Sequence, residues 1–216
     1  MALAQLDAAA LQAWVRRASV LITEHADELT ALDAAIGDAD HGANMRRGLN
    51  AAVEALDGGS FHTPEAVLKQ VAMTLISKVG GASGPLYGTF FLRLASSVKG
   101  LEHLDLSALA QGVEAGVGGI VQRGKAQAGE KTMLDAWYPA LEALRGGTDL
   151  DAGVLAAQAA AEAGRAATEP MLATKGRASY LGERSIGHVD PGAASTALIV
   201  RALAEVVTEV AASDAA

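Results

Sequence analysis

Apolar residues do not alternate with polar ones at a spacing of two along this chain. They recur in long alanine- and leucine-rich stretches separated by short glycine-bearing breaks. Alanine carries the lowest helix cost of any residue, and runs of β-branched residues, which favour strands, are scarce. The pattern predicts an all-α chain with helices over about residues 5–25, 26–36, 43–56, 64–78, 85–99, 107–123, 133–145, 151–173 and 191–211. Whether the first two are one helix or two is left open by the spacing. Thr63-Pro64 and Asp190-Pro191 each set a capping side chain before a proline at the first helical position. Thr132 with Asp135 three residues on resembles a capping box with a shortened acid.

Length and charge narrow the class. The 216 residues suit one large domain over 1–216, and such a chain buries enough surface to fold without staples. With no cysteine, disulfide frameworks, thiolate metal sites and cysteine nucleophiles are excluded. A net charge of −8 argues against a nucleic-acid-binding body, which needs a basic stripe. No apolar run approaches the ~18 residues that span a bilayer, and the first seventeen residues place their arginines after the apolar ones, the reverse of a secretory signal. A cytoplasmic protein with neither membrane nor nucleic acid as partner is expected.

The chemistry concentrates in the breaks. In the run LDAAIGDADHGANM, Gly37 ends a helix, so Asp33 projects from its last turn. Asp38 and Asp40 follow in what reads as an extended stretch, where alternate residues face one side. Three carboxylates then converge and would repel one another unless a hard cation joined them, and oxygen ligands suit Mg²⁺ or Ca²⁺. An EF-hand is excluded by spacing. With Asp38 and Asp40 at its first and third positions, the fifth would be Gly42, and the required glycine would be Ala43. Magnesium commonly keeps positions for substrate phosphates, so a Mg–nucleotide site fits better. Asn44 and the new helix start face the same volume, a seat for phosphate oxygens. His41 could orient an aspartate, contact the nucleotide or hydrogen-bond in the core.

Three further breaks could hold phosphate. KVGGASGPLYGT is a glycine-dense loop that feeds a helix and offers Ser83 at its start; a plain turn with a serine cap reads equally well. GKAQAGEKT nearly matches a P-loop, but Glu130 intrudes between Gly129 and Lys131 and a helix precedes it where a strand is required. That motif is rejected, while the segment stays a candidate for nucleotide contact. Met133 there could pack on a base, although a methionine at a helix start is more often core. The break at 175–195 is long enough for a lid, and Arg177 and Arg184 are fixed charges suited to phosphate. The plainer reading is a surface loop whose arginines pair with acidic neighbours.

Together IGDADHGANM, SKVGGASGPLYGTFF, QRGKAQAGEKTM and KGRASYLGERSIGHVDPGAAS resemble the ADP-binding L subunits of phosphoenolpyruvate-dependent, phosphotransferase-linked dihydroxyacetone kinases, over nearly the whole chain. The resemblance implies eight antiparallel helices in a barrel with the nucleotide at one end, so two of the nine predicted pieces would merge. It implies that Asp33, Asp38 and Asp40 hold two Mg²⁺ ions bridging to the diphosphate. His41, Gly42, Ala43, Asn44, Ala82, Ser83, Gly124, Met133, Arg177, Asp190, Pro191 and Gly192 would line the ADP. Three carboxylates with ADP total about −6, which two Mg²⁺ offset in large part. In the family ADP is a held coenzyme. A phosphohistidine on a separate carrier subunit phosphorylates it to ATP, and the γ-phosphoryl then passes to dihydroxyacetone held covalently on another subunit's histidine. The metals and Arg177, as the catalytic cation, would stabilise the transferring phosphoryl. A second copy of the chain and a transcription regulator are carried as further partners.

Two other functions compete. ATP-dependent ketose kinases share the site but tend to read GDGDCG where this chain has Gly37-Asp38-Ala39-Asp40-His41-Gly42, which favours the carrier-linked form. A non-catalytic adaptor that binds nucleotide only to regulate a partner would show no phosphoryl turnover, and such a role rarely needs a two-metal carboxylate cluster.

Overall fold

A computed structural model describes residues 5–213, and side chains as far as residue 209. Among these residues there are nine α-helices and one 3-10 helix; the sole extended pairing is an isolated antiparallel bridge between Leu6 and Leu104. The α-helices are α1 (Ala8–Glu24), α2 (Ala26–Ile36), α3 (His41–Asp57), α4 (Pro64–Lys78) and α5 (Ser83–Ser97). They continue with α6 (Leu106–Gly124), α7 (Leu134–Gly146), α8 (Leu150–Ala167) and α9 (Pro191–Ser213), and the 3-10 helix covers Arg177–Ser185.

The helices close into a ring. In the order α1, α3, α4, α5, α6, α7, α8 and α9, each packs against the next, and α9 returns to α1. That is the eight-membered barrel the resemblance implies. The ninth helix, α2, is not merged with its neighbour. Its start is set by His25, whose φ of −101° and ψ of 11° break α1, and it leaves the ring to pack on α3, α9 and the 3-10 helix. Short connections make neighbours antiparallel, and the contacts bear this out. Gln12 of α1 donates to Phe61 O just beyond the end of α3, and Ser19 of α1 bonds to Asn50 within α3. A Cβ on Gly164 would lie 2.2 Å from the Asp135 carbonyl oxygen, so α8 approaches α7 there more closely than any side chain permits.

The ring is filled from its inner faces. Phe90 of α5 stacks on Trp137 of α7 with centroids 4.2 Å apart, Phe91 meets Phe90 edge-on at 5.3 Å, and Trp14 of α1 lies 5.6 Å from Phe91. The Trp14 indole N–H donates to Ile199 O at 2.9 Å, which ties α1 to α9. Each large side chain so buried contributes about 1.5–3 kcal/mol. Few aromatics suffice because alanine on many inner positions lets the helices approach.

Alternation has a consequence for function. The N-termini of α3, α5, α7 and α9 all come to one end of the ring, and those of α4, α6 and α8 to the other. At that far end Thr63, Asp105 and Asp149 cap their helices with their own side chains, and Asp7 does so for α1. At the near end the cap residues of α3 and α5, Asp40 and Ala82, make no such bond. Helix starts carry unpaired N–H groups and positive partial charge, and the start of α5, which has no side-chain cap, leaves its own open to an anion.

Two predicted boundaries shift for stated reasons. The helix expected to run to 173 ends at Ala167, because a helix cannot pass through Glu169-Pro170 unbroken. The long break at 175–195 is not open loop; its middle is the 3-10 helix, seated on α2 through Ile36, Ala173, Ala178 and Leu181.

Candidate functional site

Asp33, Asp38 and Asp40 do converge, with one carboxylate oxygen from each lying within 4.8 Å of the others. They do so by a different route from strand alternation. Ala39 adopts φ +62°, a left-handed turn between the two aspartates, and Asp40 is already near helical geometry at φ −116° and ψ −8°. Asp33, buried in the last turn of α2, accepts the backbone N–H groups of Asp40 at 2.8 Å and His41 at 3.0 Å through Oδ2. The cap of α3 is therefore borrowed from α2, which is why α3 begins at His41 and not at 43. The Asp40 carboxylate stays free of capping. Gly37 makes the arrangement possible, since a Cβ there would lie 2.0 Å from Asp33 Oδ1.

One cleft joins the cluster to the four helix starts. It is lined by all three aspartates, by His41 and Ser83 at the starts of α3 and α5, by Met133 before α7, and by Asp190, Pro191 and Gly192 at α9. Ala82 and Arg177 complete the predicted residues found there. Arg177 lies at the rim, two-thirds exposed, with Nη2 3.0 Å from Asp38 Oδ2, so the arginine does pair with an acidic neighbour, and that neighbour belongs to the cluster.

Four predicted residues lie outside the lining. Gly42 is buried because a Cβ would collide with Ala26 O at 1.9 Å, so it serves the α2–α3 contact. Ala43 faces solvent. The Asn44 side chain is turned toward Arg47, accepting from Nη2 at 2.6 Å, and packs under Gly80. Gly124 is exposed at the end of α6, beside Leu86.

His41 lines the cleft and also hydrogen-bonds into the core. It is buried, with Nε2 2.8 Å from Ser195 Oγ and Nδ1 3.1 Å from Ser83 Oγ, and burial holds its pKa below the ordinary histidine value. Asp190 caps α9, accepting from Ala193 N at 2.7 Å, and its own N–H donates to Thr168 Oγ1 at 3.0 Å. Desolvation pushes its carboxyl up to about 7 against the pull of the Ala193 and Gly192 N–H groups, with Asp135 adding repulsion and Lys131 opposing it.

Sequence reasoning missed Lys131, seen there only as the misplaced lysine of a failed P-loop. It is fully buried at φ +62°, and its ammonium donates to the carbonyls of Thr168 at 2.7 Å, Glu169 at 3.2 Å and Met171 at 3.1 Å. Burial lowers its pKa. The lysine ties the chain leaving α8 to the start of α7, which closes one wall of the cleft. The capping box is formed on its return side: Asp135 accepts from Thr132 N at 2.8 Å, and also from Gly129 N.

The family model of the DAK2 domain matches residues 35–205, and the chain, with its closed helical ring and acid-lined cleft, belongs to that family. Within it the chain groups with the L subunits of phosphoenolpyruvate-dependent dihydroxyacetone kinases. It is 46% identical over 195 residues to the PEP-dependent dihydroxyacetone kinase ADP-binding subunit of Escherichia coli K12, covering 88% of this chain and 93% of that one. It is 49% identical to the PTS-dependent counterpart of Lactococcus lactis, covering 90% and 95%. The human triokinase/FMN cyclase is 37% identical over 83% of this chain, which spans only 32% of that protein. By fold, the dihydroxyacetone kinase of C. freundii in complex with AMP-PNP and Mg²⁺ matches with a TM-score of 0.72 at 24% identity, over 93% of this chain and 34% of that one.

Proposed function

We propose that this chain is the nucleotide-holding subunit of a dihydroxyacetone kinase and keeps Mg-ADP in the cleft as a coenzyme. One observation carries the reading: three carboxylates within 4.8 Å of one another share a cleft with four helix N-termini. Acids and helix starts attract ligands of opposite charge, and a metal–diphosphate satisfies both at once. The donor set fits the metal. All three ligands are hard oxygens, Asp40 is spared from capping, and Asp33 keeps Oδ1 clear of the N–H groups that Oδ2 accepts. Asp33, Asp38 and Asp40 would hold two Mg²⁺ ions, which neutralise charge on the phosphates.

The remaining residues do local work. Ser83 and the α5 start take phosphate oxygens, Met133 and Gly192 wall the cleft, and Asp190 fixes the start of α9. Arg177 stands where a phosphoryl group enters or leaves, and its guanidinium offsets charge developing there. Bound ADP would accept a phosphoryl group from a phosphohistidine carrier and, as ATP, give it to dihydroxyacetone on a partner subunit. The relatives named as PEP- or PTS-dependent ADP-binding subunits match at nearly their full length, and the triokinase/FMN cyclase over only 32% of its own, which favours this over an ATP-exchanging ketose kinase.

The test is mass analysis of nucleotide released when the purified chain is denatured. Stoichiometric ADP that survives dialysis is expected, and Asp38→Ala should come through purification without it. An unchanged ADP content in that variant would refute the metal assignment, and an empty wild-type site would point to exchanging ATP.

A further inference from the structure

Behind the cleft runs a chain of polar groups of which the coenzyme reading uses only the outermost, Ser83. Ser83 Oγ lies 3.1 Å from His41 Nδ1, His41 Nε2 lies 2.8 Å from Ser195 Oγ, Ser195 Oγ lies 2.7 Å from the Tyr87 hydroxyl, and that hydroxyl lies 2.9 Å from Thr196 Oγ1. Tyr87, Ser195 and Thr196 are at 0% exposure, so water does not complete their hydrogen bonds. Of the four hydroxyls, only that of Ser83 lines the cleft.

A neutral imidazole and four hydroxyls carry five protons, and the chain can be ordered in either of two directions. In one, Ser83 donates to Nδ1 and Nε2–H donates to Ser195; Ser83 then turns lone pairs toward the cleft. In the other, Tyr87 donates to Ser195, Ser195 donates to Nε2, and Nδ1–H donates to Ser83. The Ser83 proton is then free to point into the cleft. Phosphate oxygens only accept hydrogen bonds, so the second order alone serves a diphosphate. The phenol at the inner end favours that order, because a phenolic O–H is intrinsically a better donor than an alkyl hydroxyl, even though burial holds the Tyr87 pKa above its ordinary value. Ser195 and Tyr87 also lie 3.1 Å and 3.2 Å from Gly192 O, longer than their contacts along the chain.

We infer that Tyr87 and Ser195 are positioning residues. Their buried relay holds His41 as its Nδ1–H tautomer and so makes Ser83 a donor to a phosphate oxygen. The inference rests on the coenzyme reading for its ligand but not for its tautomer.

Two measurements on the full chain decide it. Imidazole ¹⁵N NMR of the ligand-free protein, with His41→Gln for assignment, should show Nδ1 protonated and Nε2 bare. A proton on Nε2, alone or together with Nδ1, overturns the relay. Calorimetric titration with Mg-ADP then forms a double-mutant cycle. Ser195→Ala should weaken binding about tenfold and Tyr87→Phe about threefold, the scale of one hydrogen bond lost or loosened. Both losses should vanish in a Ser83→Ala background, because the relay acts through that hydroxyl. Losses of equal size in both backgrounds mean general loosening and overturn the proposal. Tyr87→Phe and the wild-type tautomer keep the question decidable if Ser195→Ala does not fold. A wild-type chain that binds no Mg-ADP sinks the coenzyme reading; one that binds it with the Nε2–H tautomer sinks the relay alone.

Discussion

Asp190 shows how one residue can serve a site at the expense of the fold. Its carboxyl caps α9 from inside the protein, and burial raises its pKa to about 7. An acid whose folded pKa exceeds its unfolded value binds its proton more readily when folded. Its penalty is therefore absent below the unfolded value near 4, grows as pH rises toward 7, and is complete above that. Asp190→Asn retains an oxygen for Ala193 N but cannot ionise. Its unfolding free energy should fall less between pH 4 and 7 than that of the wild type, as urea titrations across that range would show; parallel curves would mean the carboxyl is not the source. Gly37 makes the complementary case. Gly37→Ala would push a methyl onto Asp33 Oδ1, dislodge the carboxylate that caps α3 and split the acidic cluster. A loss of about 1–2 kcal/mol, the usual worth of a helix cap, should accompany loss of bound ADP. Thermal melts and nucleotide content of one preparation test both.

At the scale of elements, the cleft depends on how helix starts are held. Far-end starts carry their own Asp or Thr caps, and α3 takes its cap from α2. The wall between α7 and α9 is held by Lys131, which spends its three N–H donors on carbonyls just beyond α8. Lys131→Met keeps the stem but leaves those carbonyls unpaired. It should cost about 2–3 kcal/mol in urea unfolding and loosen the 3-10 helix that bears Arg177, seen as faster amide exchange over 171–185. Unchanged exchange there would show that the clasp does not hold that segment. Far-end and near-end caps could be told apart in the sequence only where the cap is local. A cap borrowed from another helix leaves no motif.

For the whole molecule, ring closure brings segments from residue 33 to residue 192 to one end. Mg-ADP bound across them should stabilise the folded chain as a unit, because it binds no part of the unfolded one. Chelation of the metal should lower the melting temperature, and restoring excess Mg-ADP should raise it by an amount that grows with the logarithm of ligand concentration. A melting temperature indifferent to both would mean that the cleft does not bind them. No described helix is long and apolar enough to cross a membrane.

The all-α class, the caps at Thr63 and Asp190 and the grouping of Asp33, Asp38 and Asp40 were determined by the sequence itself. Each depends on residues a few positions apart, where helical periodicity and turn chemistry act directly. The resemblance, and for Asn44 the local reading as well, placed Gly42, Ala43, Asn44 and Gly124 at the nucleotide, while in the folded chain they stand outside the lining of the cleft. Which way a side chain points depends on what the neighbouring helix leaves open, as when Arg47 draws Asn44 aside or Ala26 crowds Gly42. Lys131, the borrowed cap and the path from Tyr87 to Ser83 belong wholly to the tertiary structure. Their partners lie between 7 and 154 residues apart, and only packing brings such distant groups within hydrogen-bonding reach.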